Sequence, residues 1–78
     1  EEIALEVYPN PANDLLFISC TEEIQSYHIF DITGKLVKSN SENNNPKTVD
    51  LRNIESGYYL LKLQTRSNNN LVEKFIRL

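Results

Sequence analysis

Three observations predict an all-β fold. Short runs of β-branched, aromatic and aliphatic residues recur along the chain, separated by clusters of Pro, Gly, Asn, Asp and Ser. Apolar and polar residues alternate at Ile3, Leu5 and Val7 and again at Tyr59, Leu61 and Leu63, the mark of half-buried strands. The one stretch that could begin as a helix has Thr21 as a cap and Glu22 and Glu23 in its first turn, but it would have to end within about three turns at Gly34. Its Tyr27, Ile29 and Phe30 are β-formers, so it is read as a strand.

The first strand is expected over residues 3–7. It stops at Tyr8-Pro9-Asn10-Pro11, because two prolines remove two backbone donors and fix two φ angles. Residues 15–20 are apolar at nearly every position, which predicts a central strand covered on both faces. The third strand, 24–31, runs into Asp31-Ile32-Thr33-Gly34, where Asp bonds to nearby backbone and Gly takes a positive φ before the return strand 35–39. Residues 39–47 hold several Asn and Pro46 without an apolar side chain, and read as a mobile surface loop. A short strand at 48–51 follows, and Ile54 is an apolar plug in the connection to Gly57. The longest strand, 58–65, turns Tyr59, Leu61 and Leu63 to one face and Tyr58, Leu60, Lys62 and Gln64 to a wetter one. A polar hairpin loop at 66–70 leads to the last strand, 71–78. Seven antiparallel strands in so short a chain predict a compact immunoglobulin-like β-sandwich without the disulfide or tryptophan of antibody domains.

A chain of 78 residues has surface for a single core, so residues 1–78 form one domain. Its 40% hydrophobic and 24% charged content is that of a globular chain. No apolar run approaches the roughly 20 residues that cross a bilayer as a helix, so no membrane insertion is expected. The chain begins Glu1-Glu2 rather than with Met and shows no export signal there, so it reads as a piece excised from a larger protein. Cys20 has no partner for an internal disulfide and is expected to be a small core residue. Residues 1–34 carry −7 and residues 35–78 carry +4, which gives the net −3. That asymmetry can draw the two halves together, offer a basic face to a partner, or be ordinary surface scatter. The pI near 5.0 and the lack of a Lys/Arg cluster argue against nucleic acid.

Chemistry-bearing constellations are sparse. His28 is the only histidine and sits mid-strand, away from any glycine-rich serine elbow, so a nucleophilic hydrolase is not expected. Asp31-Ile32-Thr33-Gly34 is similar to an aspartic-protease loop but one residue longer, and a turn accounts for it. Asp14, Asp31 and Asp50 lack the spacing of a calcium loop, no Cys/His set suits zinc, and no phosphate or dinucleotide fingerprint is present. No metal, cofactor or catalytic residue is assigned. Tyr8, Tyr27, Tyr58 and Tyr59 could form a sugar-stacking platform, which would make the chain a carbohydrate-binding or adhesion module; core or interface packing is the other role open to them. An inert spacer is a third reading.

Taken in order, Tyr8-Pro9-Asn10-Pro11, residues 29–37 with Asp31, Gly34 and Lys35, Val49-Asp50-Leu51, residues 56–63 with Gly57 and Tyr59, and residues 72–78 with Lys74 and Arg77 resemble one known family. It is the type A C-terminal sorting domain of the type IX secretion system, the Por secretion tail family, and the resemblance runs from Leu5 to Leu78. It implies a transport signal at the end of a large exported protein of a Gram-negative bacterium of the Bacteroidota. The cargo domains lie N-terminal to it, and a Sec signal peptide brings the chain to the periplasm. The type IX translocon and outer-membrane shuttle components then recognise the folded domain. In many members a sortase-like signal peptidase removes it and joins the cargo to anionic lipopolysaccharide, leaving the cargo at the cell surface or outside the cell.

Each motif also has a physical reading. Pro9, Asn10 and Pro11 form a donor-poor loop that sets the linker geometry or is read by the export machinery, and Gly34 and Gly57 serve backbone geometry. The last strand is expected to be an exposed edge that offers unpaired backbone groups, with Lys74 and Arg77, to a partner that adds a strand.

Overall fold

The computed structural model describes residues 3–40 and 45–78; part of the polar loop expected at 39–47, residues 41–44, lies outside them. Among the described residues seven strands form: β1 (Leu5–Tyr8), β2 (Leu15–Cys20), β3 (Ile24–Asp31), β4 (Leu36–Asn40), β5 (Thr48–Asp50), β6 (Gly57–Thr65) and β7 (Asn70–Arg77). They make two antiparallel sheets, β1-β2-β5 and β4-β3-β6-β7. The stretch 24–31, read from sequence as a strand in preference to a short helix, is β3, the inner partner of both β4 and β6.

Period-2 alternation decides which side chains meet between the sheets. β6 sends Tyr59, Leu61, Leu63 and Thr65 inward, β3 sends Ile24, Tyr27 and Ile29, and β7 adds Phe75. The smaller sheet answers with Val7, Leu16, Ile18 and Val49, and Leu51 and Ile54 close one end. Ile54 is 8% exposed, so the apolar plug is real. Cys20 is only partly buried at the margin of this core, rather than inside it.

One expectation needs correcting. β2 is central in its sheet but is covered on one face only: Leu16 and Ile18 point into the core, while Leu15 and Phe17 are 40% and 38% exposed. The second sheet lies on one side alone, so the outer apolar groups cover one another, with Phe17 stacked on Tyr8 at 5.6 Å between centroids. The start of β1 also differs. Ala4 lies before the strand, donating its N–H to Thr21 Oγ1 and accepting from Thr21 N, so a side-chain oxygen stands in for a ladder partner.

Candidate functional site

Because successive strands alternate in direction, the ends of β1, β3, β5 and β7 gather at one pole of a body about 34 Å long. The connections β1–β2, β3–β4 and β5–β6 lie there with Leu78, and chain entry through Ile3 is at the other. Every residue singled out by motif, Pro9, Asn10, Pro11, Asp31, Gly34, Lys35, Gly57, Tyr59, Lys74 and Arg77, therefore sits at or near that C-terminal pole.

Most of them are occupied in building it. Both prolines follow cis peptide bonds and are exposed, and Asn10 between them reaches the last strand. Its Oδ1 accepts from Ile76 N at 2.9 Å and its Nδ2 donates to Lys74 O at 3.3 Å. Ala12, fully buried, continues the cover: it donates to Ile76 O at 2.7 Å and accepts from Leu78 N at 2.8 Å. The outer edge of β7 is thus not the open edge that the sequence suggested. Its C-terminal half is covered by the β1–β2 connection, while among the described residues no strand pairs with the outer edge before Lys74.

Asp31 organises the β3–β4 turn. Its Oδ1 accepts from Thr33 Oγ1 at 2.6 Å, Thr33 N at 2.9 Å and Lys35 N at 3.0 Å. The Thr33 hydroxyl, followed by the Lys35 amide, holds the carboxyl below its ordinary value. Gly34 takes φ +87° with open space around its Cβ position, so glycine is needed there for backbone conformation alone. Lys35 is exposed.

At the β5–β6 corner Tyr59 is 8% exposed, stacks on Phe75 at 5.6 Å and donates its hydroxyl to Glu55 O at 2.5 Å. Burial, then the nearby Glu55 and Asp31 charges, push its ionisation up. A cleft of about 270 Å³ opens beside it, walled by Asp31, Lys35, Ile54 and Glu55. Its carboxylate Asp31 takes all three of those donors on Oδ1, and Glu55 is the other carboxylate in its wall.

Arg77 departs from its expected role. Its side chain is 13% exposed and spent inside the molecule: Nε donates to Leu51 O at 3.0 Å, one terminal nitrogen donates to Leu78 O at 2.5 Å, and the other lies 3.6 Å from Asp14 Oδ1. It ties β7 to the ends of the smaller sheet. Lys74 remains exposed. Sequence reasoning missed the roles of Ala12 and Asp14, although a small residue directly after Pro11 and a carboxylate three residues after it were the available signal.

The tyrosine platform is not assembled. Tyr27 and Tyr59 are buried, and Tyr8 and Tyr58 lie on the outer faces of opposite sheets. Among the described residues, no group of His, Cys, Asp and Glu could hold a metal ion. The acidic first half and basic second half meet in Asp14–Arg77 and in the longer Glu23–Arg66 pair at 4.0 Å.

The class defined by this geometry is a two-sheet all-β domain whose motif residues build a single pole. The sequence matches the family described as Secretion system C-terminal sorting domain over residues 6–77, and the chain belongs to that family. It is a C-terminal secretion signal of the type IX system, and the family is a signal rather than a catalyst. Membership implies interaction with the secretion system and export of the attached cargo to the cell surface or beyond. No curated protein matches. Among solved structures it is similar in fold to PorZ of Porphyromonas gingivalis, described as an essential bacterial surface component of the type-IX secretion system. TM-score is 0.69 at 23% identity, covering 95% of this chain and 11% of that one. It is also similar to CopC from Methylosinus trichosporium OB3b, with TM-score 0.52 at 16% identity, covering 95% of this chain and 91% of that one.

Proposed function

We propose that this domain rides at the C-terminal end of N-terminal cargo domains and is read, folded, by the type IX translocon and its outer-membrane shuttle components while in the periplasm. A sortase-like signal peptidase then removes it and attaches the cargo to anionic lipopolysaccharide. The domain does no chemistry of its own. The observation that carries the reading is the family match across residues 6–77 combined with the gathering of all the motif residues at the pole opposite chain entry.

An immunoglobulin-like architecture for the sandwich is supported by its three-plus-four strand arrangement and by Tyr59, whose hydroxyl returns to the backbone four residues upstream at the start of a strand, as a tyrosine corner does. Within the motif set, the division of labour is between residues that shape the pole, namely Asn10, Asp31, Gly34, Gly57, Tyr59 and Arg77, and residues presented to a reader, namely Pro9, Pro11, Lys35 and Lys74.

The test is mass spectrometry of a Sec-exported reporter fused ahead of residues 1–78 in a bacterium with the type IX system. The reading predicts reporter outside the outer membrane without the domain. Reporter recovered there with the domain attached would remove the peptidase step, and reporter kept in the periplasm would remove the sorting role.

A further inference from the structure

The outer face of the four-stranded sheet is apolar at its centre, and its two charged side chains, Lys62 and Lys74, are both basic. Register places Leu36, Phe30 and Leu60 side by side across β4, β3 and β6, with Lys74 next on β7. The neighbouring rows pair Tyr58 with Ile76, and His28 with Lys62 and Val72. Tyr58, Val72 and Leu36 are 66%, 53% and 47% exposed. Lys62 Nζ stands 5.8 Å from the Phe30 ring centre, so its charge is held over the apolar strip rather than swung away. The outward positions of these four strands are filled by Ser, His, Phe, Leu, Tyr, Lys, Gln, Asn, Val and Ile, and by no carboxylate.

In a chain with net charge −3, a sheet face free of acids is a local inversion of sign. The opposite outer face, on β1-β2-β5, carries Glu6 and Asp50. Apolar strips flanked by one sign of charge suit a partner whose apolar surface is rimmed by the other sign, since complementary charge fixes orientation and rejects wrong partners. We infer that this face docks a protein surface of the secretion machinery that is apolar at its centre and rimmed by carboxylates, with Lys62 and Lys74 as the charge contacts. The inference rests on the sorting role proposed above and names the surface that serves it. A membrane is the poorer occupant: lipid-binding basic clusters hold about four to eight Lys/Arg, and this face has two.

The experiment uses the reporter fusion in the type IX strain. Wild-type fusion is first scored for translocon-dependent export, and failure at this step refutes the sorting role itself. Lys62→Glu with Lys74→Glu is then compared with Glu6→Lys on the other face. Charge reversal at a docking rim is expected to lower export by roughly tenfold or more, while Glu6→Lys exports like wild type. Denaturation midpoints check that the exposed substitutions leave the fold intact, and Lys62→Gln with Lys74→Gln, expected to fall between, replaces the reversal if it does not. Export of the folded reversal at the wild-type level overturns the inference. So does lysine-dependent flotation of the wild-type domain with phosphatidylglycerol-containing vesicles, which would make the occupant a membrane.

Discussion

The amide of Asn10 grips the backbone of Ile76, 66 residues further along, accepting from its N–H at 2.9 Å, and the same side chain donates to Lys74 O. The loop between the first two strands therefore closes half of the last strand's free edge. An uncovered edge invites pairing with other chains, and this side chain blunts it together with the backbone of Ala12.

Asn10→Ala removes both bonds and is expected to cost about 1–2 kcal/mol, the range for two partly exposed hydrogen bonds. Asn10→Asp keeps the acceptor for Ile76 N and loses the donor to Lys74 O, so its loss is smaller. Urea denaturation of the three proteins measures the order. Equal stability of Asn10→Ala and wild type would show that the contact contributes nothing.

Tyr59→Phe isolates the corner. The ring keeps its place against Phe75 while the bond to Glu55 O disappears, with an expected loss of about 1 kcal/mol. Tyr59→Ala also removes a buried aromatic and should cost about 3–5 kcal/mol, enough to unfold much of a domain this small.

Arg77 and Lys74 should separate cleanly. Arg77→Ala leaves the Leu51 carbonyl without its charged donor and is expected to lose about 2 kcal/mol. Lys74→Ala, on an exposed side chain, should stay within about 0.5 kcal/mol. A large thermal shift for Lys74→Ala, or none for Arg77→Ala, would reverse the roles assigned to them.

Acid should weaken the fold through its turns. Asp31 is held below its ordinary 3.8 by the Thr33 hydroxyl and Lys35 amide, and Asp50 is held well below it by the Arg52 side chain and then the Arg52 amide. A carboxyl whose folded pKa is depressed adds stability above its unfolded pKa and loses it as pH falls through the folded one. Stability is therefore expected to be flat above about pH 5 and to decline below about pH 4. Asp31→Asn with Asp50→Asn should lower stability at pH 7 and flatten that decline. An unchanged acid slope in the double variant would contradict the assignment.

All seven strands were legible because each carries its own alternation or its own bounding turn, and the Asp31–Gly34 turn was legible because its bonds are local. What escaped was non-local. Nothing near Arg77 in sequence announces Leu51 or Asp14, and nothing near Asn10 announces Ile76. A run that is apolar at nearly every position, such as Leu15–Cys20, is equally silent about whether a second layer covers one face or two; here the missing layer leaves Phe17 against Tyr8. Tyr8 and Tyr58 look alike in sequence and sit on opposite faces because their strands belong to different sheets.

The measurement that tests the account most directly is where a Sec-exported fluorescent protein ends up when residues 1–78 are fused behind it, in a type IX bacterium and in the same strain with its translocon disabled. Fluorescence at the cell surface or in the medium of the first strain, lost in the second, is the predicted result. Fluorescence held in the periplasm of both strains, on a fusion shown to be folded, would contradict it.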